Sequence, residues 1–457
     1  MNDFANLSPD ELNKIDKSRV WHAFTQMSEY QPFIIERADG VYLYDIDGKQ
    51  YIDAVSSVWC NVHGHCHPYL NEAIYAQLQK VAHVTSLGMS NPTTIEFANQ
   101  LVNITPDGLN HVFFSGDGAS AVEVALKMAF QYWHQRENPR PLKTKYIALE
   151  LAYHGDTLGS VSVGGVKRFH EMFEPLLFDC IRIDLPDTYR LPEGIAADEC
   201  CNHYLEQVEA VLKSDHEEIA ALVVEPIVQG AAGLVMQPAG YLAGLRKLTR
   251  QYDVLLICDE VAVGFGRTGT MFACEQEDVQ PDLLCLAKGI TAGYLAMSAT
   301  LATTQIWNAF LAPGHQAKTF FHGHTYAGNP VAAAAGIASL DLFKTEATLD
   351  NVNRRAKQLT ERLETLSKHE IVGDIRQRGL IAGIELVADR ESRQPFDAQL
   401  SVGPKICKQL LRYGVWIRPL RDVLVIMPPL CISEEQLNEV VDAIDNAIGE
   451  FCQNCAP

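Results

Sequence analysis

Apolar residues along this chain recur with two different periods, and the switches between them outline its elements. The polar opening carries Ser8, Pro9 and Glu11 in a capping-box pattern, which predicts a helix from that point. In GVYLYDIDGKQYIDAVSS, apolar residues alternate on both sides of Asp47-Gly48, the strongest short-range hairpin signal. From about His67 the spacing turns helical. A repeated strand-then-helix order follows: HVFFSG before ASAVEVALKMAFQYW, YIALE before the loop at Tyr153, AALVVEP before a helix near Tyr241 to Tyr252. Val254 to Cys258, ending in Asp259, and Leu283 to Ala287, ending in Lys288, are short apolar runs closed by a charge. Such runs read as strands buried on both faces of a parallel sheet, and the alternation predicts a doubly wound α/β sheet. After the long helix of AAAAGIASLDLF the character changes. IRQRGLIAGIEL, GVWIRPL and VLVIMPP are short strands among helices, as a smaller α+β domain would have. The acidic stretch from Pro186 to Glu199 reads as a surface excursion, and there is no internal repeat.

Composition narrows the function classes. The chain of 457 residues is long enough for two or three packed units. Its formal net charge is −20, without a lysine or arginine block, so nucleic acid is not an expected partner. No apolar stretch reaches the 18 or so residues a membrane span needs, and the first residues lack the basic start and apolar core of a signal peptide. Twelve cysteines, several inside apolar runs (Cys258, Cys285, Cys407), fit reduced core thiols in the cytoplasm. No metal is expected. His63, His65 and His67 crowd with Cys60 and Cys66, and Cys452 with Cys455 forms a CxxC, but neither group has the second half that a zinc site requires.

The chemistry enters at the strand ends, because ligands of parallel sheets sit at the carboxyl ends of the strands. Asp259 puts a carboxylate there and Lys288 an amine. Pyridoxal 5'-phosphate needs that pair, a lysine for a Schiff base and an acid to keep the pyridine nitrogen protonated. SGDGASAVEVALKMA adds an anion site: Gly116 and Gly118 permit a tight turn, and a helix beginning near Ala119 or Ser120 aims free N–H groups at a phosphate. Tyr153, just past a strand, offers an aromatic ring to stack on the pyridine.

DEVAVGFGRTG, the downstream LAKG, SGDGASAVEVALK, AYHG and FFHGHTYAGNP together resemble the class III aminotransferases, over almost the whole chain. The resemblance implies fold type I: a large, doubly wound, mostly parallel seven-stranded sheet domain and a smaller α+β domain built from both termini. The expected division is 71–335 for the large domain, with 1–70 and 336–457 forming the small one. It also implies a homodimer with shared active sites. Carried onto this chain, Lys288 matches the Schiff-base lysine, Asp259 the partner of the pyridine nitrogen, and Tyr153 the stacked ring. Gly118 and Ala119 match the phosphate-loop dipeptide, and Glu225 a neighbour of the ring, though an ordinary loop acid reads nearly as well. Thr325, after Gly323 and His324, matches a phosphate contact that crosses the dimer. Arg267 reads as structural.

Within the class, WHAFTQM, YIDAVSSVWCNVHGHCHP and WIRPLRDVLVIMPP look like the branch that transfers an amino group to 8-amino-7-oxononanoate in biotin biosynthesis. Phe24, Val58, Trp59, Tyr153, Lys288 and Gly323 then face the substrate, and Arg418 holds its distal carboxylate. Four positions depart from the form that takes S-adenosylmethionine as donor: Ala119 replaces serine, Phe24 and Val425 replace tyrosines, and Val58 replaces tryptophan. These losses look like the lysine-using branch. The alternative function is another class III ω-aminotransferase acting on a diamine or ω-amino acid.

Overall fold

A computed structural model describes residues 7–454; Cys455, half of the CxxC, lies outside them. The capping box is formed: Ser8 and Glu11 bond reciprocally at the start of helix Pro9–Arg19. Asp47-Gly48 turns the hairpin Tyr42–Asp45/Gln50–Asp53, with Gly48 at φ +80° and Asp45 accepting from the N–H groups of Asp47 and Lys49.

The apolar runs pair into a seven-stranded sheet in the order Leu109–Ser115, Ser298–Thr303, Leu283–Leu286, Leu255–Asp259, Ile219–Val224, Lys145–Leu149, Ile181–Ile183. The three strands ending near Glu225, Asp259 and Lys288 are buried at every position. Burying each of their leucine, isoleucine and valine side chains stabilises by about 1.5–3 kcal/mol before entropy is counted. Ser298–Thr303 alone runs against the other six. The chain leaving Leu286 makes only a 3-10 turn, Lys288–Thr291, and no crossover helix, so it returns antiparallel.

Two four-stranded sheets flank this layer. One joins Ile35–Asp39, Tyr42–Asp45 and Gln50–Asp53 to the distant Val415–Trp416, with Ile52 opposite Val415. The other is Val372–Arg378, Ile381–Leu386, Val423–Ile426 and Pro419–Leu420. One contiguous core runs from Val41, in the turn before Tyr42, to Ile448 in the last helix, Glu434–Asn454. Helix Pro330–Thr345 packs its run of alanines against Pro68–Leu78 and Pro92–Ile104. No helix among the described residues is long and apolar enough to cross a membrane.

Candidate active site

The strand ends converge as the alternating pattern requires. Trp59, Gly116 to Ala119, Tyr153, His154, Glu225, Asp259, Val261 and Lys288 line one cavity of about 710 Å³. Lys288 follows a fully buried strand and sits at φ +46°, which turns the chain sharply at that residue. Burial pushes its amine's pKa down, opposed by the carboxylates of Asp259 and Glu225.

Asp259 is anchored on both oxygens. Oδ1 accepts from the N–H of Val261 at 3.0 Å, and Oδ2 pairs with Nδ1 of the buried His154 at 2.7 Å. The other ring nitrogen of His154 has no partner. Glu225 accepts from the N–H groups of Tyr153 (3.0 Å) and Gly230 (2.8 Å), and burial pushes its carboxyl up to about 7. The Tyr153 hydroxyl donates to Asp156 at 2.7 Å; burial and then that carboxylate push it up.

The glycine loop differs from expectation in two respects. The helix begins at Gly118, not at Ala119 or Ser120, because Asp117 caps it by accepting from Ser120 N–H. Asp117 thereby leaves the N–H groups of Gly118 and Ala119 without helical partners at the cavity wall. The chain does turn tightly there, passing from strand to helix in two residues, but neither Gly116 nor Gly118 adopts a left-handed φ, so the turn's backbone does not require glycine. A Cβ at Gly118 would lie 2.6 Å from Cγ1 of Val261, whereas one at Gly116 would meet nothing within 4 Å. Gly118 is glycine because the Asp259 loop passes against it.

The wall facing Lys288 has unusual backbone. Ser56, Ser57, Val58 and Trp59 all lie at positive φ (51°, 47°, 66°, 71°), with Trp59 N–H bonding Val55 C=O and Cys60 N–H bonding Ser56 C=O. This is a left-handed helical turn of non-glycine residues, costing about 1–2 kcal/mol at each. It carries the Trp59 ring to 5.0 Å from Lys288 Nζ. Arg267, buried as expected of a structural residue, ties the turn down by bonding Ser56 Oγ, Asn61 C=O and Pro428 C=O.

A second cavity, about 500 Å³, is lined by Phe24, Phe169, Arg168, Arg418 and Arg421. It adjoins the first: Phe169 packs edge-on against both Phe24 and Tyr153. None of the three guanidinium groups has an ion pair or hydrogen bond among the described residues.

Other expected residues lie elsewhere. Val58 is exposed and lines neither cavity, and Val425 is buried in its strand. Gly323, His324 and Thr325 sit on a loop outside both cavities, where Thr325 C=O bonds His83. The clustered histidines disperse: His63 bonds Ser339, His65 bonds Asp53 and His67 bonds Glu346, and no group of three metal-ligating side chains exists among the described residues. Sequence reasoning missed His154, Asp117, Arg168 and Arg421. His154 was within sight, between Tyr153 and Gly155, but nothing local says that it faces Asp259.

Comparison with known proteins agrees with this geometry. The model of the family "Aminotransferase class-III" matches residues 24–448. An Aquifex aeolicus protein named adenosylmethionine-8-amino-7-oxononanoate aminotransferase is 50% identical over 449 residues, covering 97% of this chain and 98% of its own. A Geobacter sulfurreducens protein of the same name is 47% identical over 441 residues, covering 96% and 97%. The crystal structure of the Methanocaldococcus jannaschii protein of that name superposes with a TM-score of 0.91 at 41% identity, covering 97% of this chain and 99% of that one. An (S)-enantioselective ω-transaminase from Thermomicrobium roseum reaches 0.92 at 33%, with the same coverage. With its strand-end lysine and aspartate on a sheet of this order, the chain belongs to the class III aminotransferases, of fold type I.

Proposed function

We propose that this protein transfers an amino group to 8-amino-7-oxononanoate, giving 7,8-diaminononanoate for biotin synthesis, with S-adenosylmethionine or lysine as donor. The observation that carries the proposal is one cavity holding Lys288 and Asp259 beside another edged by three unpaired arginines. Near 50% identity to relatives of that name supports the choice of acceptor.

The cofactor is pyridoxal 5'-phosphate, and the residues present fit it. The free N–H groups of Gly118 and Ala119 suit its phosphate, and the Tyr153 ring suits its face. Asp259 suits the pyridine nitrogen and Lys288 the carbonyl carbon. When bound, the cofactor supplies an electron sink for the carbanion formed at the donor's α-carbon. Lys288 moves the proton. Its neutral amine, favoured by burial, takes one from that carbon and later returns one to the carbon that receives the amino group. His154 and the Val261 N–H hold Asp259 in place, so its negative charge needs no rearrangement during the reaction. Trp59 and Tyr153 wall the acceptor chain and keep water from Lys288. Arg418, with Arg168 and Arg421 beside it, clamps the acceptor's distal carboxylate. Phe24, which edges the second cavity, would contact the chain near its mouth.

The active form in this reading is a homodimer. The loop carrying Gly323, His324 and Thr325 would complete the phosphate site of the partner subunit. Support comes from exposed apolar side chains beside that loop: Phe321, Tyr326, Leu87 and Met89 are 79%, 71%, 72% and 53% exposed. The same reading divides the chain into a large domain, 71–335, and a small one from 1–70 and 336–457, acting in the cytoplasm.

The test is direct. Purified holoenzyme is given 8-amino-7-oxononanoate with each donor, and 7,8-diaminononanoate is sought by mass spectrometry. Mixing holoenzyme with one donor at a time, and following the cofactor's visible absorbance, identifies which donor reacts. No product with either donor refutes the assignment.

A further inference from the structure

We infer that Asp53 is a positioning residue for this site, holding the left-handed turn Ser56–Trp59 and, through it, the indole that faces Lys288. The inference rests on the function proposed for the Lys288 cavity. Single left-handed residues are common in loops, but four in succession, one of them β-branched, persist only where the surroundings over-determine them. Arg267 and the Met427 carbonyl hold Ser56, and Asp53, at the end of strand Gln50–Asp53 and fully buried, holds Ser57 at the middle of the turn. Its Oδ1 accepts from Ser57 N–H at 3.0 Å and more weakly from Val55 N–H at 3.4 Å. Its Oδ2 accepts from Ser57 Oγ at 2.8 Å and pairs with His65 Nε2 at 3.0 Å.

Beyond the turn, the chain is wedged. A Cβ at Gly293 would lie 2.9 Å from the Cys60 carbonyl, and one at Gly230 would lie 3.3 Å from the Trp59 ring. The indole therefore has one seat, between the Gly230 segment and Lys288, and it reaches that seat only while the backbone stays left-handed. Asp53 itself lines neither cavity, so it acts through the turn. Relaxing the four residues toward ordinary φ would relieve strain and withdraw the indole. The Asp53 bonds oppose that change.

The experiment compares fully cofactor-loaded wild type with Asp53→Asn, and with the milder Ser57→Ala, which deletes only the hydroxyl contact. Asparagine can still accept from Ser57 N–H but presents a donor where Oδ2 accepted from Ser57 Oγ and His65. The expected result for Asp53→Asn is a KM for 8-amino-7-oxononanoate raised about tenfold, with cofactor content unchanged and a smaller change in kcat. Adding Ser57→Gly should recover most of that KM, because glycine holds φ near 47° without strain. Amide exchange at Trp59 and Cys60, whose N–H groups close the turn, should quicken in Asp53→Asn. A loss of thermal stability with KM and both exchange rates unchanged would overturn the inference, as would failure of Ser57→Gly to restore KM. If wild type does not turn over 8-amino-7-oxononanoate, the proposed function fails. The exchange rates then still decide the role of Asp53: faster exchange supports it, and unchanged exchange rejects it.

Discussion

Gly118→Ala is the sharpest test of how the phosphate cradle is built. The glycine's backbone lies outside the left-handed region, so alanine adopts it freely and only the added methyl matters. That methyl would sit 2.6 Å from Val261 Cγ1 and 3.1 Å from Cγ2. Carbon atoms prefer about 3.5–4.0 Å, so the overlap is about 1 Å. Valine has one stiff side-chain torsion and cannot swing away cheaply. The strain therefore passes to the backbone at Val261, whose N–H holds Asp259. Overpacking of this size costs about 1–3 kcal/mol, a factor of roughly 5 to 150 if all of it is spent against cofactor binding. Titration of apoprotein with pyridoxal 5'-phosphate, followed by absorbance, measures the dissociation constant. Gly116→Ala, with open space at its Cβ, should leave that constant unchanged. Gly118→Ala combined with Val261→Ala, which removes both clashing atoms, should restore most of the affinity. Wild-type affinity in Gly118→Ala, or no recovery in the double variant, would refute the packing argument.

Lys288→Ala should abolish turnover, and borohydride reduction followed by mass spectrometry should find no cofactor joined to the chain; residual wild-type turnover would remove Lys288 from its role. Because burial lowers the Lys288 pKa, the rate of cofactor uptake by apoprotein should rise with pH and level off below 10.5, the ordinary lysine value; a midpoint at or above that value would count against it. The Glu225 carboxyl, raised to about 7 from the usual 4.5, keeps a proton in the fold that the unfolded chain releases. Its contribution is complete below about pH 4.5 and lost as pH rises through 7, so denaturation of apo Glu225→Gln should show a shallower fall in stability over that window. Glu260, raised to about 7 by the same cause, keeps part of the slope in place. His154→Phe strips Asp259 of a buried hydrogen-bond partner; losing a hydrogen bond to a charged group costs about 1.5–3 kcal/mol, visible as a lower melting temperature and weaker cofactor binding. Arg418→Gln should raise KM for the acceptor about tenfold or more while leaving the half-reaction with the donor's amine detectable.

The parts of this molecule that were readable in advance are those whose cause is local. A capping box satisfies its own N–H groups, Asp47-Gly48 sets its own turn, and an apolar run closed by one charge marks a strand end. Lys288 and Asp259 could be linked because ligands of a parallel sheet gather at its strand ends; that their two strands are neighbours is shown by the fold. The antiparallel course of Ser298–Thr303 was hidden, since nothing in SATLAT marks the direction of a strand; its cause is the short 3-10 connection before it. The cause of Gly118 was hidden too, because Val261 is distant in sequence and the clash exists only in space. The left-handed turn leaves no compositional trace: Ser56 to Trp59 contain no glycine, and what holds them is contributed by Asp53, Arg267 and Met427. Arg168 and Arg421 belong to segments with no common pattern, and only the fold brings them to one cavity.

The bond from Ser56 to the carbonyl of Met427 spans 371 residues. On a ribosome adding about 5–20 residues per second, roughly 20 to 70 seconds pass between the emergence of its two ends. Through that interval the hairpin Tyr42–Asp53 has no Val415 strand to pair with, and its apolar residues face the cell. The active-site wall is thus among the first parts synthesised and among the last to be finished. A nascent chain stalled before residue 415 would present an open sheet edge to chaperones and proteases, however well its central sheet had already formed.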